Sequence, residues 1–303
     1  MKQKSKDIIF LHFIVLIWGF TAVIGLLIDL TPVEIVFYRT GIAAVLLVIV
    51  LFSLKQSFLL SSRRSLLKTS IVGCLLAAHW GLFFLSAKIS TAAVCLVGMA
   101  TTSFWTSIIE PLFFKKQIQL FEVLLSLLAL LGILIVFNME IQYFLGLSFA
   151  IVAAILAALF SIINVSLIKS DDHFVITFYE MIFACLFTGM SLPFYFLYVS
   201  HEVFEWPTLE QAMWLLILAS VCTVFAVSYS IKLMKRLSAF FVNLTINLEP
   251  IYGIILALLV FGDSEKMSVG FYLGTGLILS SVLLYPLLNR KRKRKALETD
   301  ILR

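Results

Sequence analysis

Apolar residues run along this chain in ten long blocks joined by short polar connections. The blocks cover about residues 8–28, 34–54, 69–87, 91–114, 120–138, 144–168, 174–199, 211–233, 237–261 and 267–288. Most reach the ~20 residues that an α-helix needs to cross the hydrocarbon of a bilayer. The pattern therefore predicts an all-α integral membrane protein of ten transmembrane helices, with no soluble domain inserted. The first block follows lysines, as a signal peptide does. It is of full span length and lacks an A-x-A cleavage pattern, so it reads as an uncleaved first helix.

Charge orients the spans. With the N-terminus inside, 20 of the 23 Lys and Arg residues fall on inner segments, as basic residues do in membrane proteins. Only Arg39, Lys88 and Lys266 fall on or near outer segments, and these also carry Asp29, Glu34, Glu140, Glu202, Glu205 and Glu210. Both termini inside requires an even number of spans, which agrees with ten. The run from Arg290 to Lys295 then reads as a cytoplasmic anchor beside anionic lipid rather than a nuclear-localisation or nucleic-acid signal.

The two halves resemble each other. The segment from Ile35 to Ala43 parallels that from Ile176 to Ala184, and the stretch from Ser90 lies against that from Ser238. Five spans per half is an odd number, so the second half enters from the opposite side. Inverted repeats of this kind place a binding site at their interface near the midplane. The expected organisation is residues 1–140, residues 141–289 and a polybasic tail at 290–303.

Composition supports this reading. The chain is 62% hydrophobic and 13% charged, about half the charged fraction of an ordinary soluble domain. Cys74, Cys95, Cys185 and Cys222 are scattered without C-x-x-C spacing, which suggests neither a metal site nor a disulfide framework. No cofactor is implied. There is no G-x-x-x-x-G-K-[ST], so nucleotide hydrolysis does not drive the protein. H-E-x-x-H, G-x-S-x-G and T-V-G-Y-G are absent too.

The most informative stretch is Asn243 to Gly253, N-L-T-I-N-L-E-P-I-Y-G. It places Glu249 near the middle of an apolar run, just before a proline that weakens the helix. An ionisable group at that depth costs at least ~3 kcal/mol unless it faces a partner or a wet cavity. Glu249 is thus the first candidate for solute binding and proton coupling. Asn243 and Asn247, four residues apart, share a helix face. His79, beside Trp80 in the third block, reads equally as a proton relay, since histidine titrates near neutral pH, or as a hydrogen-bonded packing residue.

The plan resembles the EamA family of the drug/metabolite transporter superfamily. The resemblance rests on ten spans in five-plus-five order, the W18-G-F-T segment, the Y38-R39 pair, and E249-P250 followed by L-V-F-G262-D263. The first half departs from the pattern: Lys115 and Lys116 stand where Gly-Glu is expected. Its Glu110-Pro111 pair lies about nine residues beyond the position matching Glu249-Pro250. The resemblance implies a transporter of small metabolites in a cell membrane, plasma or bacterial inner.

Substrate-wall candidates are Trp18, His79, Trp80, Thr101, Thr102, Trp105, Asn164, Tyr229, Asn243, Asn247 and Glu249. Glu110 is expected to form an interfacial ion pair with Lys115 and Lys116. Arg39 is expected to snorkel outward or pair with Asp29 or Glu34, and Glu180 to lie near the inner surface, too far from Arg39 for a direct pair. The expected function is secondary transport of a small organic metabolite, such as an amino acid, by alternating access. Export is favoured, with a proton gradient acting through Glu249 or His79 as the candidate drive. An intramembrane enzyme acting on a lipid-linked substrate is the alternative. The expected partners are the metabolite and the bilayer, in a monomer or in a homodimer built on the G270-x-x-x-G274 spacing.

Overall fold

A computed structural model describes residues 3–117, 119–139, 141–200, 203–265, 267–281, 283, 284 and 288. In chain order the helices are α1 (Gln3–Leu27), α2 (Pro32–Ser53), α3 (Arg63–Ile89), α4 (Ala92–Met99), α5 (Thr102–Phe113), α6 (Leu120–Met139) and α7 (Phe144–Leu167). They continue as α8 (His173–Tyr195), α9 (Leu209–Ala219), α10 (Ala226–Leu233), α11 (Ala239–Ile246) and α12 (Glu249–Phe261). A further apolar helix, α13, spans Val269–Ser281.

Counting α4–α5, α9–α10 and α11–α12 as continuous spans, 8 helices among the described residues are long and apolar enough to cross a membrane. The helices α6 and α13 occupy the remaining two blocks. The protein is an all-α, multi-pass membrane protein. The expected basic tail, 290–303, lies outside the described residues.

Helix starts follow local chemistry. Thr31 and Glu34 form a reciprocal capping box at α2, and Thr208 with Gln211 does the same at α9. Ser62, Thr91, Asp172 and Ser238 each cap the helix that follows with a side-chain oxygen. Each such cap satisfies a backbone N–H that the helix itself leaves free, worth typically ~1 kcal/mol.

Two blocks read as single spans, 91–114 and 237–261, are each broken in the middle. The second breaks at Asn247–Leu248, where Pro250 stands in the first turn of α12; proline has no N–H and fits a helix start, not an interior. The first breaks at Ala100–Thr101 without a proline. There the hydroxyls of Thr101 and Thr102 donate back to the carbonyls of Gly98 and Met99, at 2.8 and 2.7 Å, competing with regular helix bonding. The half-helices then cross: α4 packs on α12, and α5 on α11. That reciprocal exchange is what two repeats related by a two-fold axis produce.

A third irregularity lies in the block at 211–233, where α9 and α10 are joined by a π-helical turn, Ser220–Phe225. Close approaches hold the bundle. A Cβ on Gly19 would stand 2.8 Å from the Tyr252 Cβ, so α1 and α12 meet backbone to backbone there. Gly132 of α6 lies directly against the Gly274 carbonyl of α13.

Candidate functional site: a charged and aromatic cavity

The half-helix breaks, α10 and parts of α1, α2, α3 and α7 surround a cavity of about 90 Å³, room for several waters or a small solute. Trp18, His79, Trp80, Thr102, Asn164, Asn243 and Glu249 line it. So do Thr21, Arg39, Phe83, Phe160, Ser161 and Ser230. Asn164 near the end of α7 and Met234 just beyond α10 carry the lining toward the basic end of the bundle.

Several wall groups are held by identifiable partners. Wider π turns disturb the regular ladder and recur at functional sites. Here the turn presents the Cys222 carbonyl to the Trp18 Nε1–H at 3.1 Å. It also places the Thr223 hydroxyl to accept from Arg39 Nε at 2.7 Å. His79 Nδ1 lies 2.8 Å from the Ala153 carbonyl. A carbonyl only accepts, so Nδ1 carries the proton and a neutral ring keeps Nε2 as an acceptor. Asn243 Nδ2 donates to Thr106 at 2.8 Å, and its Oδ1 accepts from Ser161 at 3.2 Å, joining α11 to α5 and α7.

Arg39 departs from expectation. It is 1% exposed, so it neither snorkels nor pairs with Asp29 or Glu34. Its guanidinium carbon lies 4.0 Å over the Trp80 ring, and Nη1 is buried without a partner. Glu34 is occupied elsewhere: it caps Thr31 and accepts from the Glu205 N–H at 2.7 Å. The depth of Arg39 was misjudged because hydropathy along one helix is blind to what neighbouring helices place opposite. Arg39 and Glu249 border the same cavity and influence each other electrostatically without forming a direct ion pair. A cation and an anion thus face one space, each with capacity to spare.

Four candidates lie outside the lining. Thr101 spends its hydroxyl on the Gly98 carbonyl at the helix break. Asn247 turns to α5, donating to the Ser103 hydroxyl at 2.7 Å. Trp105 packs on Phe104 with ring centroids 5.0 Å apart. Tyr229 sits in an aromatic cluster with Phe10, Phe225, His173 and Phe174. In each case spacing along one helix left open which neighbour the side chain would meet.

Glu110 is a further correction. It forms no ion pair with Lys115 or Lys116. Its Oε2 accepts from the Phe240 N–H at 2.7 Å, placing a carboxyl at the start of α11, where the helix dipole favours negative charge. Glu180, as expected, does not pair with Arg39; it is fully buried, and both its oxygens lack hydrogen-bond partners.

The sequence model of the EamA-like transporter family matches residues 5–138 and 144–286. The chain belongs to that family. The match falls in two segments, one in each half of this EamA protein. A solved structure described only as "Crystal structure of protein" is 15% identical, covers 93% of this chain and 97% of its own, and has a TM-score of 0.69; it is alike in fold. No curated protein matches the chain.

Proposed function

We propose that this EamA protein is a secondary transporter that carries a small zwitterionic, amphipathic metabolite, an α-amino acid or a close relative, by alternating access between its two repeats. The observation that carries this reading is the shared cavity, with the Arg39 guanidinium and the Glu249 carboxyl on one space walled by Trp18, Trp80, Phe83 and Phe160. A guanidinium fork suits a carboxylate. The Glu249 carboxylate suits an ammonium group. The aromatic walls suit an apolar side chain. His79, with its Nε2 lone pair free in the neutral ring, is a second acceptor for the ammonium or for a coupling proton.

The direction is export. By the distribution of basic residues both termini are cytoplasmic, and the cavity lining extends toward that basic end, which suits loading from the cytoplasm. The membrane is the plasma membrane, or the inner membrane of a bacterium. Membership of a transporter family and a wall with no nucleophile–base pair on it weigh against the enzyme alternative.

The test is metabolite profiling inside and outside cells that express the wild type, Glu249→Gln or Arg39→Gln at equal levels. The expected result is one unchanged zwitterion depleted inside and raised outside with wild type, and at least about tenfold less movement with either variant. Equal movement by all three proteins overturns the site. A newly formed compound overturns transport itself.

A further inference from the structure

We propose that Glu180 and Asn164 form a proton-binding site that opens onto the cavity through Asn164. The inference rests on the transporter reading for its purpose: it gives a transporter a proton site separate from the charged groups that face the solute.

Glu180 lies on α8, 0% exposed. Opposite it, α3 approaches so closely that a Cβ on Gly73 would stand 2.8 Å from the Glu180 carbonyl and 2.6 Å from the Phe183 Cβ. That contact brings the backbones of α3 and α8 together at the level of Glu180. Asn164 of α7 is the polar side chain that comes against Glu180, near enough to act on it but outside hydrogen-bond geometry. Neither Glu180 oxygen has a partner, nor does Asn164 Oδ1. The Glu180 carboxyl thus has the Asn164 amide beside it and no hydrogen bond formed on either oxygen.

A buried carboxylate without a cation or donors is costly, by several kcal/mol even after relaxation. One proton resolves all of this: Glu180 becomes a neutral acid, and its O–H donates to Asn164 Oδ1. Among the described residues no cation on the neighbouring helices is paired with Glu180: Arg63 and Arg64 at the start of α3 are exposed, and Lys88 at its end donates to the Ile28 carbonyl at 2.9 Å. Arg39 of α2 is engaged by Thr223 and Trp80. Lys68 of α3 donates to Ser166 at 2.8 Å, and Lys232 of α10 lies over the Tyr229 ring. His79 of α3 is bonded to the Ala153 carbonyl, and His173 at the start of α8 to Asp172. Cys74 of α3 adds no charge.

Asn164 also lines the cavity, beside Ser161 and Ser230. When its amide swings toward the cavity, the proton can pass from Glu180 to water there and leave a carboxylate behind. Reversal reloads the site. Glu249 borders the same cavity but needs no part in this step.

The test is infrared pH-difference spectroscopy on the full-length protein in lipid vesicles, with no solute added. Wild type is expected to show a protonated-carboxyl stretch at neutral pH. That band is lost in Glu180→Gln, shifts in frequency in Asn164→Val, and persists in Glu249→Gln. In heavy water it moves within the time of buffer exchange, because the acid reaches the cavity. A band that survives Glu180→Gln, stays unshifted in Asn164→Val, or resists heavy water for hours overturns the proposal. Glutamine has the shape of the neutral acid, and if that variant nonetheless fails to fold, Asn164→Val and solvent exchange decide alone. No solute enters the measurement, so its failure leaves the transport reading standing, and a failed solute screen leaves this site standing.

Discussion

The guanidinium of Arg39 lies 4.0 Å over the ring of Trp80, placing a residue of α2 and one of α3 in a single wall of the cavity. An attraction of this kind is worth about 2 kcal/mol when desolvated. Trp80→Leu is therefore expected to lower unfolding stability of the purified protein by at least that amount, and Trp80→Phe by less. Arg39→Lys should behave like a loss as well, because an ammonium cannot both stack and bond Thr223 as the planar fork does. Equal stability of Trp80→Leu and wild type in thermal unfolding would show that the stacking contributes nothing.

The crossing of α5 and α11 depends on Asn247 donating to Ser103 at 2.7 Å. Hydrogen bonds between helices in membranes average about 0.6 kcal/mol. A double-mutant cycle with Ser103→Ala and Asn247→Ala is expected to return a coupling near that value. A coupling of zero would place the burden of the crossing on packing alone.

Gly19 is irreplaceable by a larger residue for a geometric reason. An added Cβ meets the Tyr252 Cβ at 2.8 Å and the Gly253 nitrogen at 3.3 Å, and backbone cannot yield as a flexible side chain does. Gly19→Val is expected to destabilise by about 1–3 kcal/mol through overpacking, and to reduce transport by shifting Trp18 and Glu249 relative to each other. Gly81, whose Cβ would meet nothing within 4 Å, is the control: Gly81→Ala should leave both unchanged.

Asp171 joins the connection before α3 to that before α8. Burial raises its proton affinity, but hydrogen bonds from the Ser61 N–H and from the Ser61, Ser65 and Ser170 hydroxyls outweigh burial and hold its carboxyl below the usual carboxylate range. A depressed folded-state value means that this tie stabilises the protein above the ordinary carboxylate range and is lost as the pH falls through the lowered one. Asp171→Asn should flatten the acid limb of the stability curve. An unchanged acid limb would assign that limb to other carboxyls.

Much of the architecture was legible from the chain. Block length and apolar content foretold the helices because lipid allows only internally bonded backbone. Glu249 was visible because a carboxyl in mid-span is costly anywhere on a helix. Arg39 was equally visible as a charge, yet its depth was misread, because its partners, Trp80 and Thr223, come from helices far away in the chain. The π turn at Ser220–Phe225 left no signal: it contains neither proline nor glycine. Glu110 was read against its sequence neighbours, Lys115 and Lys116, while the fold gave it the Phe240 N–H.

By itself, then, the sequence determined that this chain lives in a membrane, that it crosses many times, and that its halves repeat. Those properties follow from the solvent and from local composition, which act on each segment separately. Only the tertiary structure decided which polar groups share a space. Arg39, His79, Glu249 and Asn164 come from different helices, and their meeting depends on crossing geometry, helix breaks and glycine contacts. Hydropathy carries no record of those, because it describes each helix against lipid and not against its neighbours.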